Sequence, residues 1–182
     1  VRRLTPLIFV VSLVALGCGS SSSEGSSSAT DAVRSGEGAL SRAEFIAKAD
    51  ALCEASRTKQ EPLRKKLEEV AREARSEEQD PEGLTDSTRR ELAQTLGQLV
   101  AMTEASQAQV QALGPSQADA GQLEAVFQKT DSAFEASLAY GAALENHEDA
   151  KAQAIAERAN AETRETAALA ARYGFKVCGA QP

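Results

Sequence analysis

At 182 residues the chain has room for one domain of ordinary size with a terminal extension. Its formal charge of -7, from 27 acidic against 20 basic residues, sets it against phosphate backbones and anionic lipid headgroups, which excludes nucleic acid as a partner. No run alternates apolar and polar residues as a half-buried strand does, and Ala, Glu, Gln, Leu and Arg dominate, so the expected fold is all-α.

The first element is a leader. Arg2 and Arg3 precede an apolar stretch from Leu7 to Leu16, about ten residues where a membrane span needs roughly 20. That is the length of a secretory signal. The run that follows is Leu13-Val-Ala-Leu-Gly-Cys-Gly-Ser-Ser-Ser-Ser23. It resembles the lipobox of bacterial lipoproteins, with Gly17 at the cleavage position, Cys18 as the lipid-bearing residue and Ala15 where leucine is usual. The resemblance implies a signal peptide over residues 1–17, a lipid anchor on Cys18 and residence on the outer side of the cytoplasmic membrane. Val1 is expected to be an alternative start codon read literally.

Residues 18–40 after that cut are Ser- and Gly-rich, with hardly any large apolar side chain to offset their ordering entropy. They are expected to form a flexible tether with a reach of roughly 25 Å. If Cys18 carries lipid, Cys53 and Cys178 remain as a pair in an oxidising compartment, where a disulfide is expected.

The domain itself is expected over residues 41–180. Ser41-Arg-Ala-Glu44 has the capping-box arrangement that opens a helix, and Phe45, Ala49, Leu52, Ser56, Leu63, Leu67, Val70 and Ala74 follow at helical steps. Pro62 should kink or restart this helix near Glu61. Ser76 to Thr85, with Asp80-Pro81-Glu82-Gly83, reads as a loop. A second helix should start near Asp86 or Ser87 and run to Leu113, before Gly114-Pro115, with Leu92, Leu96, Leu99, Thr103, Ser106, Val110 and Leu113 in a heptad stripe. The hydroxyls in that stripe require close packing or water.

A third helix should open around Ser116 to Asp119 and present Leu123, Val126, Phe127, Thr130, Phe134, Leu138, Gly141 and Leu144 on one face. Asn146-His147-Glu148-Asp149 predicts a tight turn. A fourth helix carries Ala152, Ile155, Ala159, Glu162, Thr166, Leu169 and Tyr173, and Gly174 should close it as a left-handed cap. Phe175 to Cys178 should then run extended against the bundle. Short connections give an antiparallel up-down-up-down four-helix bundle, which brings the chain's end beside the start of the first helix and Cys178 to the end that holds Cys53.

Chemistry has few candidates. His147 is the single histidine, so it cannot supply the two Glu-x-x-His motifs of a di-iron bundle, and a haem held by Met102 and His147 lacks a C-x-x-C-H attachment motif. An exposed turn residue is the expectation. No catalytic residues, metal ligands or cofactors are assigned. Glu68, Glu69, Glu77 and Glu78 sit among Lys65, Lys66, Arg72 and Arg75, as solvated helix faces do. Three interior features have more content: Thr103 with Ser106, Gly97, and Tyr140-Gly141. They serve either close backbone approach with local hydrogen bonds or a small polar-lined pocket between helices.

Ala49-Asp-Ala-Leu-Cys53 and Ala171-Arg-Tyr-Gly-Phe-Lys-Val-Cys-Gly179 resemble the paired-cysteine signature of small lipoproteins from high-GC Gram-positive bacteria. That resemblance implies an anchored extracytoplasmic helical domain with a Cys53–Cys178 disulfide, and it supplies no catalytic residues. The leading expectation is a non-enzymatic interaction or envelope-structural module, held to the membrane by its lipid, with an envelope protein as partner. The alternative is a binding protein for a small apolar or lipid ligand held between the helices.

Overall fold

A computed structural model describes residues 40–78 and 83–179. The predicted leader, Cys18, the tether up to residue 39 and the Asp80-Pro81-Glu82 part of the first loop lie outside the described residues. The domain is all-α: α1 (Arg42–Glu77), α2 (Asp86–Gln111), α3 (Ala120–Glu145) and α4 (Asp149–Tyr173).

Local chemistry sets most of the boundaries. The capping box forms as the sequence predicts, with the Ser41 hydroxyl accepting from the Glu44 N–H and the Glu44 carboxylate accepting from the Ser41 N–H at 3.0 Å. Thr85 caps α2 through its side chain. Gly174 ends α4 at φ 113°, a left-handed conformation that costs glycine little. His147 turns the chain between α3 and α4 at φ 57°.

Two expectations about α1 need correction. The helix runs through Pro62 without interruption. Pro62 and Thr58, whose carbonyl loses its donor, are both exposed, so water can supply the missing partner. The inner stripe buries Gln60 at 4% exposure, whereas Leu63 is only half-buried. Gln60 tolerates burial because its amide nitrogen donates to Ser56 Oγ at 3.0 Å and Thr103 Oγ1 at 3.1 Å.

The helices pack in chain order, α1 on α2, α2 on α3 and α3 on α4. The backbones of α1 and α4 stay more than 8 Å apart along their whole length. Side chains bridge that side at both ends, through Leu67, Val70 and Ala74 with Ala152 at the far end and through an aromatic group at the near one. Arg42 donates to the Tyr173 carbonyl at 2.7 and 3.2 Å and lies 4.4 Å from the centre of the Tyr173 ring, a favourable place for a cation at a helix C-terminus. Phe45 meets Tyr173 edge-on and Phe175 at a tilt. Beyond Gly174 the tail bends and turns where an extended segment was expected. The Asp50 carboxylate fixes it by accepting from the N–H groups of Lys176, Val177 and Cys178 at 2.9–3.0 Å. Cys178 then reaches Cys53 in a disulfide with Cα atoms 5.4 Å apart, so the tail climbs the first turns of α1.

The interior divides into two apolar clusters. One gathers Phe45, Ala49, Val110, Leu123, Val126, Ala170, Tyr173 and Phe175 at the disulfide end. The other gathers Leu67, Val70, Ala74, Leu92, Ala143, Leu144 and Ala152 at the far end. There α3 crosses close over α2, since a side chain on Gly141 would meet Ala93 Cα at 3.2 Å. Leu138, expected on the inner face of α3, is 47% exposed. Ala136 and Ala143 are buried on that helix instead, beside Leu123, Val126, Gly141 and Leu144, which are buried as expected. Buried Arg89 pins the start of α2 to the α3–α4 turn, binding Asp149 through both terminal nitrogens and the carbonyls of Leu84 and Leu144.

The link from α1 to α2 rests on Glu77. Its carboxylate accepts from the Thr85 N–H at 2.8 Å and from the Thr85 and Thr88 hydroxyls at 3.1 and 2.8 Å. Burial pushes this carboxyl up, but those hydrogen bonds and the Arg89 charge outweigh it and hold Glu77 below the usual carboxylate range. A depressed carboxylate stabilises the fold above its unfolded pKa and loses that contribution as pH falls through the folded value. The urea midpoint is therefore expected to drop on acidification below about pH 4.5. Glu77→Gln should flatten that part of the profile, and an undiminished slope in the variant would assign the acid sensitivity to other groups.

Candidate functional site

Between the two apolar clusters the inner stripe of α1 changes character. Phe45, Ala49 and Cys53 give way to Ser56, Arg57, Gln60 and Arg64, and apolar packing resumes only at Leu67. Four polar residues facing inward over two to three turns leave the middle of the bundle without the bulk that fills both ends. A cavity of about 330 Å³ lies there, at the low end of the range for small-molecule sites. Its lining comes from all four helices and the tail. The cavity coincides in position with the side of the bundle where α1 and α4 stand apart.

The walls are less polar than their residue names suggest. Thr103, Thr130, Ser137, Thr163 and Thr166 all line the cavity. Each hydroxyl donates to the carbonyl four residues back on its own helix, at 2.8–2.9 Å. Both amide protons of Gln60 are committed to Ser56 and Thr103. These groups have no proton left to offer, and Leu67, Leu96, Leu99, Val100 and Phe134 complete a largely apolar surface. The disulfide forms one end, since Cys53, Val177, Cys178 and Gly179 all contribute to the lining.

Two guanidinium groups stand out. Arg57 and Arg64 are the charged residues of the lining, which contains neither Asp nor Glu. Arg57 is in weak contact with Glu54 at 3.8 Å. The Nε of Arg64 is buried with no hydrogen-bond partner. Burial, and then the neighbouring Arg57 charge, draw the Arg64 guanidinium below its ordinary value, although a guanidinium keeps its proton at neutral pH.

Comparison with protein-family models, curated proteins and solved structures finds no match. The site is therefore read from its own geometry. Of the residues singled out in the sequence, Thr103 and Ser106 line the cavity. Tyr140 does not; it packs against the far apolar cluster, where burial and then the Glu78 charge push its phenol up. Gly141 serves the close approach to Ala93, and Gly97 has open space around its Cα. His147 is 57% exposed and lies 3.2 Å from Asp86, beside a shallow recess of about 140 Å³ shared with Asp86, Arg89, Arg90 and Glu145. Both signs of charge meet in that recess.

Sequence reasoning missed Gln60 and Arg64. The signal was present: Cys53, Arg57, Gln60, Arg64 and Leu67 recur at steps of four and three, with Ser56 beside Arg57, so a polar run shares the inner stripe with the core residues around it. Among the described residues, no three His, Cys, Asp or Glu side chains gather where a metal could be held. No helix among them is long and apolar enough to cross a membrane.

Proposed function

We propose that this chain is a lipid-anchored, non-enzymatic module on the outer side of the cytoplasmic membrane, and that it holds a small apolar ligand between its helices. The observation that carries the reading is the central cavity, lined by all four helices, with five of its hydroxyls turned onto their own helices. A purely structural or interaction module would be served better by a continuous apolar interior, which fills the ends of this bundle and not its middle. The lipobox resemblance of Gly17-Cys18 supports the anchor, and the Cys53–Cys178 disulfide fits an oxidising compartment.

The test is a neutral apolar dye. The fluorescence of N-phenylnaphthylamine is expected to rise on mixing with the full chain. Ala133→Phe, which places a ring in the cavity, is expected to abolish the rise at a cost of about 1–3 kcal/mol in stability. Absence of any rise with the unaltered protein, or an equal rise with Ala133→Phe, would remove the reading.

A further inference from the structure

The cavity selects by charge as well as by apolarity. The chain as a whole carries an excess of acid, 27 residues against 20, yet the charges that line the cavity are both cationic. The local sign is thus opposite to the global one, and the repulsion that the net charge exerts on anions at the surface does not describe this interior.

Arg64 carries the argument further. A half-buried guanidinium beside apolar walls, with its Nε unpartnered, leaves hydrogen-bonding capacity unused in a poorly solvated place, which is unfavourable until an acceptor arrives. The planar fork fits a carboxylate, which can take two of its N–H groups together. Arg57 is the weaker anchor because Glu54 stands 3.8 Å from it, whereas Glu61 and Glu68 act on Arg64 by their charge without pairing with it. Arg64 lies 11 residues from Cys53 along α1, about 16 Å at helical rise. Arg64 and Leu67 stand at one end of the lining on α1 and Cys53 at the other, so the length of the cavity extends from Arg64 towards the disulfide. A volume of about 330 Å³ suits one hydrocarbon chain better than the two of a diacyl lipid.

We propose that the cavity binds a single-chain carboxylate amphiphile of the fatty-acid class, its head on Arg64 and its chain lying towards Cys53–Cys178. This rests on the ligand-binding reading above and adds to it the charge of the ligand and its direction.

The experiment compares dodecanoate with dodecanol, equal in length and different in charge, as competitors for N-phenylnaphthylamine on the full chain. Dodecanoate is expected to bind about tenfold more tightly, the worth of one charge-assisted contact. Arg64→Gln should remove that preference, so that dodecanoate and dodecanol compete equally. Arg64→Lys, which keeps the charge and loses the fork, should retain part of it. Lys65→Gln removes the same charge from the next position, where the side chain is 68% exposed, and should leave the preference intact. Equal binding of acid and alcohol by the unaltered protein would overturn the proposal. A preference that survives Arg64→Gln, or that disappears in Arg57→Gln alone, would overturn it too, while displacement of the dye by either compound leaves the apolar cavity standing. If neither compound nor dye binds, the cavity reading itself fails.

Discussion

Cys178→Ser is expected to lower the melting temperature by roughly 10–20 °C, the largest loss of any single side-chain change in this domain. The disulfide joins residues 125 positions apart. In the chain-entropy model, closing a loop of that length removes enough freedom from the unfolded chain to stabilise the fold by about 4–5 kcal/mol. The effect is amplified by where the bond sits. The backbones of α1 and α4 stay more than 8 Å apart, so at this end of the bundle the tail and its aromatic contacts are what join the first helix to the last. Cys53→Ser should give the same loss, and the double variant no more than either alone. Melting curves by circular dichroism under non-reducing conditions measure this. A variant that melts within a few degrees of the unaltered protein would show that Asp50 and the aromatic cluster hold the tail without help.

Phe45→Ala should cost about 3–5 kcal/mol, read as a fall in the urea midpoint at unchanged slope. Phe45 is fully buried, and its ring centre lies 6.2 Å from those of both Tyr173 and Phe175. Truncation removes the apolar transfer term and leaves a hole that its surroundings cannot easily close, because the tail is tied to Cys53 a few turns away. The two changes should therefore interact. In a Cys178→Ser background the tail can shift to fill the space, and Phe45→Ala should cost less by about 1 kcal/mol. Strict additivity would mean that the ring and the disulfide hold the tail independently.

The features that were legible from sequence are those that depend on neighbours in the chain. The Ser41 capping box, the turn at His147 and the Gly174 cap each rest on a few adjacent residues, and four amphipathic segments joined by short turns leave little choice but sequential packing. The pairing of Cys53 with Cys178 was also within reach, because the topology brings the two together. What was hidden depends on distances between helices. Gln60 and Leu63 both fit the inner stripe of α1 by spacing, and apolarity favoured leucine; only the position of Thr103 across the interface makes glutamine the better occupant. Tyr140 looked like a partner of Thr103 and Ser106 because Gly141 beside it belongs to the inner stripe of α3. It lies at another level of the bundle, packed against the far cluster. The cavity needs the polar run on α1 and the way all four helices meet around it, and only the first of these is written in a local pattern.

The bond between Cys53 and Cys178 also makes the greater part of the domain a covalent ring, with α2, α3 and α4 inside it. A protease that cuts once anywhere within the ring leaves both pieces attached to each other. Only a cut upstream of Cys53 severs the helices from the N-terminal segment.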